Sequence, residues 1–156
     1  MYFKNLQPYR LSPDWPITAE SLHEQLAKKP FHPCGAQDFE SRGWVAPRDG
    51  GELVHAIGDN WLVCMQAEAK ILPPAVINKE ADKRADEFAK QQGYKLGRKQ
   101  LKELREQVTQ ELLPRAFTRR RRMFAWIDPV NGWLVVDAAS QSKAEDMLEQ
   151  LRHTLD

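Results

Sequence analysis

Ten basic side chains crowd one stretch of this sequence: Lys95, Arg98, Lys99, Lys102, Arg105, Arg115, Arg119, Arg120, Arg121 and Arg122. Only three acids fall between residues 95 and 122, so the stretch carries a local charge of +7. Arginine grips phosphate bidentately and is weakly hydrated, which suits a nucleic-acid backbone. Arg98, Lys102 and Arg105 are spaced four and three apart and share one helical face. Arg119 to Arg122 read as strand, with Arg120 and Arg122 pointing one way and Arg119 and Arg121 the other. Four consecutive arginines cannot all be buried, so this strand end must overhang the core. No Cys/His finger and no Gly-rich phosphate loop accompanies them, so base-specific reading is not indicated. The ordinary alternative is a solvated helix face and a solubilising strand end.

A second constellation is Asp59 followed nine residues later by Glu68-Ala69-Lys70. Two carboxylates and a lysine in that order resemble the D…ExK pattern of Mg²⁺-dependent nucleases, where the acids hold the cation and the lysine assists the attacking water. The pattern is short, and Asp59 sits where a turn expects Asp anyway. His32-Pro33-Cys34 is an isolated pair without a second cluster at zinc spacing, so no metal site and no cofactor is expected. Cys34 with His32 or His55 would make a nucleophile pair, but nothing in the sequence places them together. Cys64 lies on an apolar strand, where a buried thiol is ordinary. The five tryptophans read chiefly as core, with Trp44 and Trp133 as candidates to stack on bases.

The elements that must carry these residues follow from punctuation and period. Tyr2 to Leu11 reads as a strand interrupted by Pro13 and Pro16. Thr18 caps a helix running to about Lys28, with Leu22 and Leu26 on one face. Pro30 and Pro33 stop it. Short strands follow at Gly43–Val45, Leu53–Ile57 and Trp61–Met65, the last two joined as a hairpin through Gly58-Asp59-Asn60. After Pro73-Pro74 the period changes from two to about 3.6. Ile77, Ala81, Ala85, Phe88 and Ala89 form one stripe, and Leu101, Leu104, Val108 and Leu112 a second. These two stripes predict an αα-hairpin, closed by Pro114 and carrying Lys95 to Arg105 on its second helix. Arg115 to Asp128 returns to strand. Asp128-Pro-Val-Asn131-Gly132 turns the chain into Trp133–Ala138. Ser142 with Glu145 makes a capping box for a last helix. The sum is an α+β fold: an antiparallel sheet, helices on one face, and a projecting αα-hairpin insertion. The domain reading is residues 1–74 with 114–156 as the body and 75–113 as the hairpin.

Composition sets the bounds. At 156 residues and 42% apolar, the chain suits one compact domain with an appendage. Aromatics and a net charge of only +1 exclude a wholly disordered chain. That net charge conceals an asymmetry: −2 over residues 1–94, +7 over 95–122 and −4 over 123–156. Two cysteines are too few for a disulfide scaffold, so the chain reads as intracellular. The opening MYFKNLQPYR has no apolar core of a signal peptide, and no run approaches a membrane span.

Taken in order, several short motifs carry a resemblance. They are Phe3-Lys4-Asn5-Leu6 with Tyr9-Arg10-Leu11, then Phe31-His-Pro33-Cys34-Gly35-Ala-Gln37, then Gly43-Trp44-Val45-Ala-Pro47. Lys70-Ile71-Leu72-Pro73, Leu112-Leu113-Pro114-Arg115-Ala116-Phe117, Trp126-Ile127-Asp128, Lys143-Ala144-Glu145-Asp146 and Leu151-Arg152 complete the series. Together they resemble the bacterial recombination-associated RdgC family along the whole chain. The resemblance implies a non-enzymatic, cytoplasmic, nucleoid-associated protein that binds double-stranded DNA with little sequence preference and restrains the recombinase RecA. It implies a ring-shaped homodimer with a central domain, a helical tip and a base. The hairpin at 75–113 corresponds to the tip, Phe117 to a tip–tip contact, and Arg115 and Arg119 to family basic positions. Family members are about twice this length, and this chain stops where the base would begin. A monomer, or an open dimer through the tips, with weakened DNA affinity is therefore expected.

Overall fold

A computed structural model of the protein describes residues 2–13 and 17–155. In chain order the elements are β1 (Leu6–Arg10), α1 (Ala19–Ala27), β2 (Glu40–Val45), β3 (His55–Ile57), β4 (Asn60–Ile71), α2 (Pro74–Gln92), α3 (Arg98–Leu112), a 3₁₀ turn (Leu113–Arg115), β5 (Phe117–Asp128), β6 (Trp133–Asp137) and α4 (Gln141–Thr154). The strands form one open antiparallel sheet in the order β1-β6-β5-β4-β2, with β3 also paired to β4. The α+β class expected from the sequence is the class observed. Pro16, expected to help end the first strand, lies outside the described residues.

The chain divides into two compact units. One comprises residues 1–32, 41–67 and 120–156; the other comprises 33–40 and 68–119. The first owns the hydrophobic core. On β4 Trp61, Val63 and Met65 share a face, joined by Ala125 and Ile127 of β5 and Leu134 and Val136 of β6. Leu22 and Leu26 of α1, with Ala144, Met147 and Leu151 of α4, close the same core, so both helices cover one sheet face. Burying one such side chain contributes about 1.5–3 kcal/mol.

Local chemistry fixes the ends of these elements. The Thr18 hydroxyl accepts from the Ser21 amide at 3.1 Å, and the Ser21 hydroxyl accepts from the Thr18 amide at 2.9 Å. This reciprocal cap starts α1 where the sequence expects it. In α4 the cap moves. The Lys143 amide donates to the Ser140 hydroxyl at 3.2 Å, so Ser140 and not Ser142 begins the helix. Segment 29–31 runs beside β2: the Trp44 amide donates to the Lys29 carbonyl and the Phe31 amide to the Trp44 carbonyl. A Cβ at Gly43 would lie 2.3 Å from the Phe31 Cα, so only glycine admits this crossing. The Trp44 indole donates to the Thr154 hydroxyl at 2.9 Å, satisfying its one polar atom in the core. At the β5–β6 turn, the Asp128 carboxylate accepts from the Asn131 amide and side chain, which hold its carboxyl below the usual aspartate range.

The second unit is built differently. Pro74 opens α2 at its first turn, and Gly93, at φ +79°, ends it in the left-handed region. Of the helix residues only Ala81 and Val108 are fully buried, and Leu113 is buried just beyond α3. Arg84 bridges the helices, bonded to Glu111 at 2.6 Å and to Glu80 at 3.2 Å. Phe88 meets Tyr94 edge to face, with centroids 5.5 Å apart.

Candidate nucleic-acid interface

All ten basic side chains are exposed. In the second unit, α3 presents Arg98, Lys102 and Arg105 away from half-buried Leu101 and Leu104 and buried Val108. Lys99 lies on the same helix. Lys95 does not: it stands in the 93–97 connection, because Gly93 ends α2 and the Gly97 amide, capped by the Gln100 side chain at 3.1 Å, begins α3 only at Arg98. Arg115 is likewise not on a strand. Pro114 holds it in the 3₁₀ turn, and β5 begins at Phe117. Arg119 sits near the start of β5, still in this unit. In this unit Arg84 pairs with Glu80 and Glu111, and the basic side chains of α3 take no part in those pairs.

In the first unit Arg120, Arg121 and Arg122 continue β5. The Arg122 Nε donates to the Gln66 side-chain carbonyl at 3.0 Å, and the Arg120 guanidinium lies 5.4 Å from the Phe31 ring centroid. Gln66 is buried, so its amide is a fixed acceptor that orients the Arg122 guanidinium through Nε. Nothing in the local sequence predicts the contacts with Gln66 or Phe31, because both partners lie more than fifty residues away. Burial pushes the neighbouring Cys64 thiol up to about 11, against the opposing pull of the Arg122 charge.

Phe117 is 85% exposed at the start of β5, an unusual position for so large an apolar ring. Trp44 cannot stack on bases, being fully buried in the first unit. Trp133 remains 39% exposed, with the Arg10 guanidinium 4.1 Å from its ring centroid.

The nuclease triplet is not assembled. Asp59 occupies the exposed two-residue turn before β4, where Gly58 supplies φ +60°. Glu68 lies nine residues on, roughly 30 Å along an extended strand. Glu68 is 4% exposed as a residue, and its carboxylate accepts from the Cys34 amide at 3.0 Å, while the Cys34 thiol donates to the Glu68 carbonyl at 3.2 Å. Lys70 spends its ammonium on the carbonyls of Leu113, at 2.9 Å, and Ala36, at 3.3 Å. In the structure these residues tie segment 33–38 and the end of α3 together within the second unit. Among the described residues, no group of three or more His, Cys, Asp or Glu is gathered closely enough to hold a metal ion.

The comparisons with known proteins cover the whole chain. The family model described as "Putative exonuclease, RdgC" matches residues 1–156. A protein of Dechloromonas aromatica named "Recombination-associated protein RdgC" is 53% identical over all 156 residues, which are 51% of its own length. Proteins of the same name from Herminiimonas arsenicoxydans and a Janthinobacterium species are 51% and 48% identical over the full chain, again across 52% of theirs. The chain thus spans about half the length of the curated relatives it matches.

Proposed function

The chain belongs to the RdgC family, and on that premise we propose that it is a DNA-binding module of a recombination-associated protein, gripping duplex DNA through its phosphates with little regard for sequence. The observation that carries this reading is that all ten lysines and arginines between 95 and 122 are exposed, in a chain whose remainder is weakly acidic. Each unit supplies its own set: Lys95 to Arg119 in one, Arg120 to Arg122 in the other. Guanidinium and ammonium groups without a base-reading helix position a protein on DNA without specifying sequence. In this reading the protein works at the cytoplasmic nucleoid and limits the access of RecA to DNA. The helical hairpin acts as the tip, and exposed Phe117 is the contact of a homodimer. Among the described residues, no helix is long and apolar enough to cross a membrane.

The test is fluorescence anisotropy of labelled duplexes of unrelated sequence, titrated with this chain at several salt concentrations. Affinity is expected to fall with salt by about 0.9 log units per log unit for each phosphate engaged, alike for every sequence. The Arg119→Ala/Arg120→Ala/Arg121→Ala/Arg122→Ala variant should flatten that slope. A strong preferred site, or no binding at low salt, overturns the proposal. Binding that survives neutralisation of the arginines, beside a dimer lost in Phe117→Ser, points instead to a protein-interaction role for the hairpin. The family description keeps an exonuclease reading as the second possibility. Mg²⁺-dependent release of label from a duplex end would establish it, through residues other than the dispersed Asp59, Glu68 and Lys70.

A further inference from the structure

Arg121 and Arg122 are both exposed, yet strand alternation sends them to opposite faces of the sheet. Arg121 falls on the side of Met123, Ala125 and Ile127, where the core lies. Arg122 falls on the other side, beside Gln66 of the neighbouring strand β4. Gln66 follows the apolar run Trp61–Met65 and is itself only 6% exposed. Its side-chain carbonyl accepts from the Arg122 Nε at 3.0 Å, so a buried and therefore fixed group holds an exposed cation. Gln66 is neutral. It orients the guanidinium without cancelling its charge, as a carboxylate at the same place would. The bond also occupies Nε, so the N–H groups left over all stand on the two terminal nitrogens. Those two nitrogens form the edge with which a guanidinium meets both free oxygens of one phosphate. A side chain already ordered by its partner has less rotamer freedom to lose on binding.

On the duplex-binding reading above, we propose that Gln66 is a positioning residue and that Arg122, held by it, grips one backbone phosphate end-on through its two terminal nitrogens. The adjacent arginines are then unequal. Arg122 acts as an oriented fork, whereas Arg121 supplies charge alone. Lysine separates these two roles, because it keeps the charge but has neither an Nε donor nor a planar pair of nitrogens.

The test is fluorescence anisotropy of a labelled duplex, titrated with the whole chain and with Arg121→Lys, Arg122→Lys, Gln66→Met and the double variant Gln66→Met/Arg122→Lys. The lysine variants keep the charge, so their salt slopes should match that of the unaltered chain. Arg121→Lys should bind as the unaltered chain does. Arg122→Lys should bind about tenfold more weakly, the share of one charge-assisted bidentate contact. Gln66→Met keeps the volume but removes the acceptor, and should cost about fivefold, the share of ordering one long side chain. Beside Arg122→Lys the same Gln66→Met change should cost nothing further. A merely structural role for Gln66 would instead cost the same in both backgrounds. Gln66→Glu keeps the acceptor but cancels the charge, and should lower the salt slope by about 0.9, so the proposal stays testable if the methionine variant fails to fold. Equal losses from the two lysine variants, a Gln66→Met cost that persists beside Arg122→Lys, or an unchanged slope in Gln66→Glu overturns the proposal. Absence of duplex binding by the unaltered chain at low salt is a different failure, that of the DNA-binding reading itself.

Discussion

The two units hold together by different means. The first excludes water from a contiguous set of large side chains: Leu22, Leu26, Trp44, Ile127 and Met147 are all fully buried. The second buries only small or single residues of its helices, and relies on Arg84 with Glu80 and Glu111, and on Glu68 and Lys70 tied to backbone. It also leaves Phe39, Ile71, Val76, Tyr94 and Phe117 largely exposed. Apolar burial is non-directional and large, whereas each polar tie contributes a net ~0.5–1.5 kcal/mol. The second unit should therefore open at lower free energy, and it carries seven of the ten basic residues between 95 and 122. All five tryptophans lie outside residues 33–40 and 68–119, so indole fluorescence reports on the first unit, while helicity reports heavily on α2 and α3.

The largest effect is expected from Trp44→Ala. It empties a core position and orphans the Thr154 hydroxyl bond, and should lower the indole-monitored unfolding free energy by about 3–5 kcal/mol in urea. A loss below about 1 kcal/mol would break the claim that this core dominates. Next comes Glu68→Ala, which leaves the Cys34 amide without its acceptor, at about 1–3 kcal/mol. Hydrogen exchange should speed up through residues 33–38 well before the indole transition moves. If both move together, the two units unfold as one. Ser140→Ala should cost about 1 kcal/mol, and Ser142→Ala much less, read by the same urea titration. The smallest effect is an acid titration of helicity. Arg84 beside Glu111 holds that carboxyl below its ordinary value of 4.5. Its stabilisation is complete above 4.5 and lost as pH falls through the lower folded value. Glu111→Gln should flatten that part of the curve, as should high salt, because the pair is exposed.

Much of the architecture was legible because it is written in local chemistry. The Pro73-Pro74 break, the two apolar stripes and the Asp128–Gly132 turn each act within a few residues. The Thr18 cap does as well. Where the reading went astray, a distant partner decided. The strand expected to end at Met65 runs on to Ile71, because Gln66 and Glu68 are polar yet buried by pairing with Arg122 and Cys34. One miss was local: Ser142 with Glu145 fits the capping pattern better than Ser140 with Lys143, yet the Lys143 amide bonded to Ser140 starts the helix two residues earlier. The D…ExK spacing was real as a string and empty as a site, since eight extended residues of β4 hold Asp59 and Glu68 apart. The exposure of the arginines followed from counting. The contacts that aim Arg120 and Arg122 did not.

Cys64 gives the first unit a chemical clock. Its thiol is fully enclosed, and burial pushes it up to about 11, so at pH 8 only about one molecule in a thousand holds a thiolate while the site is closed, and opening returns the thiol to its ordinary, more reactive range. An alkylating reagent therefore reads the frequency with which β4 is laid open. Followed with and without added duplex DNA, the rate of Cys64 labelling would time the breathing of this sheet without a fluorophore or an added tag.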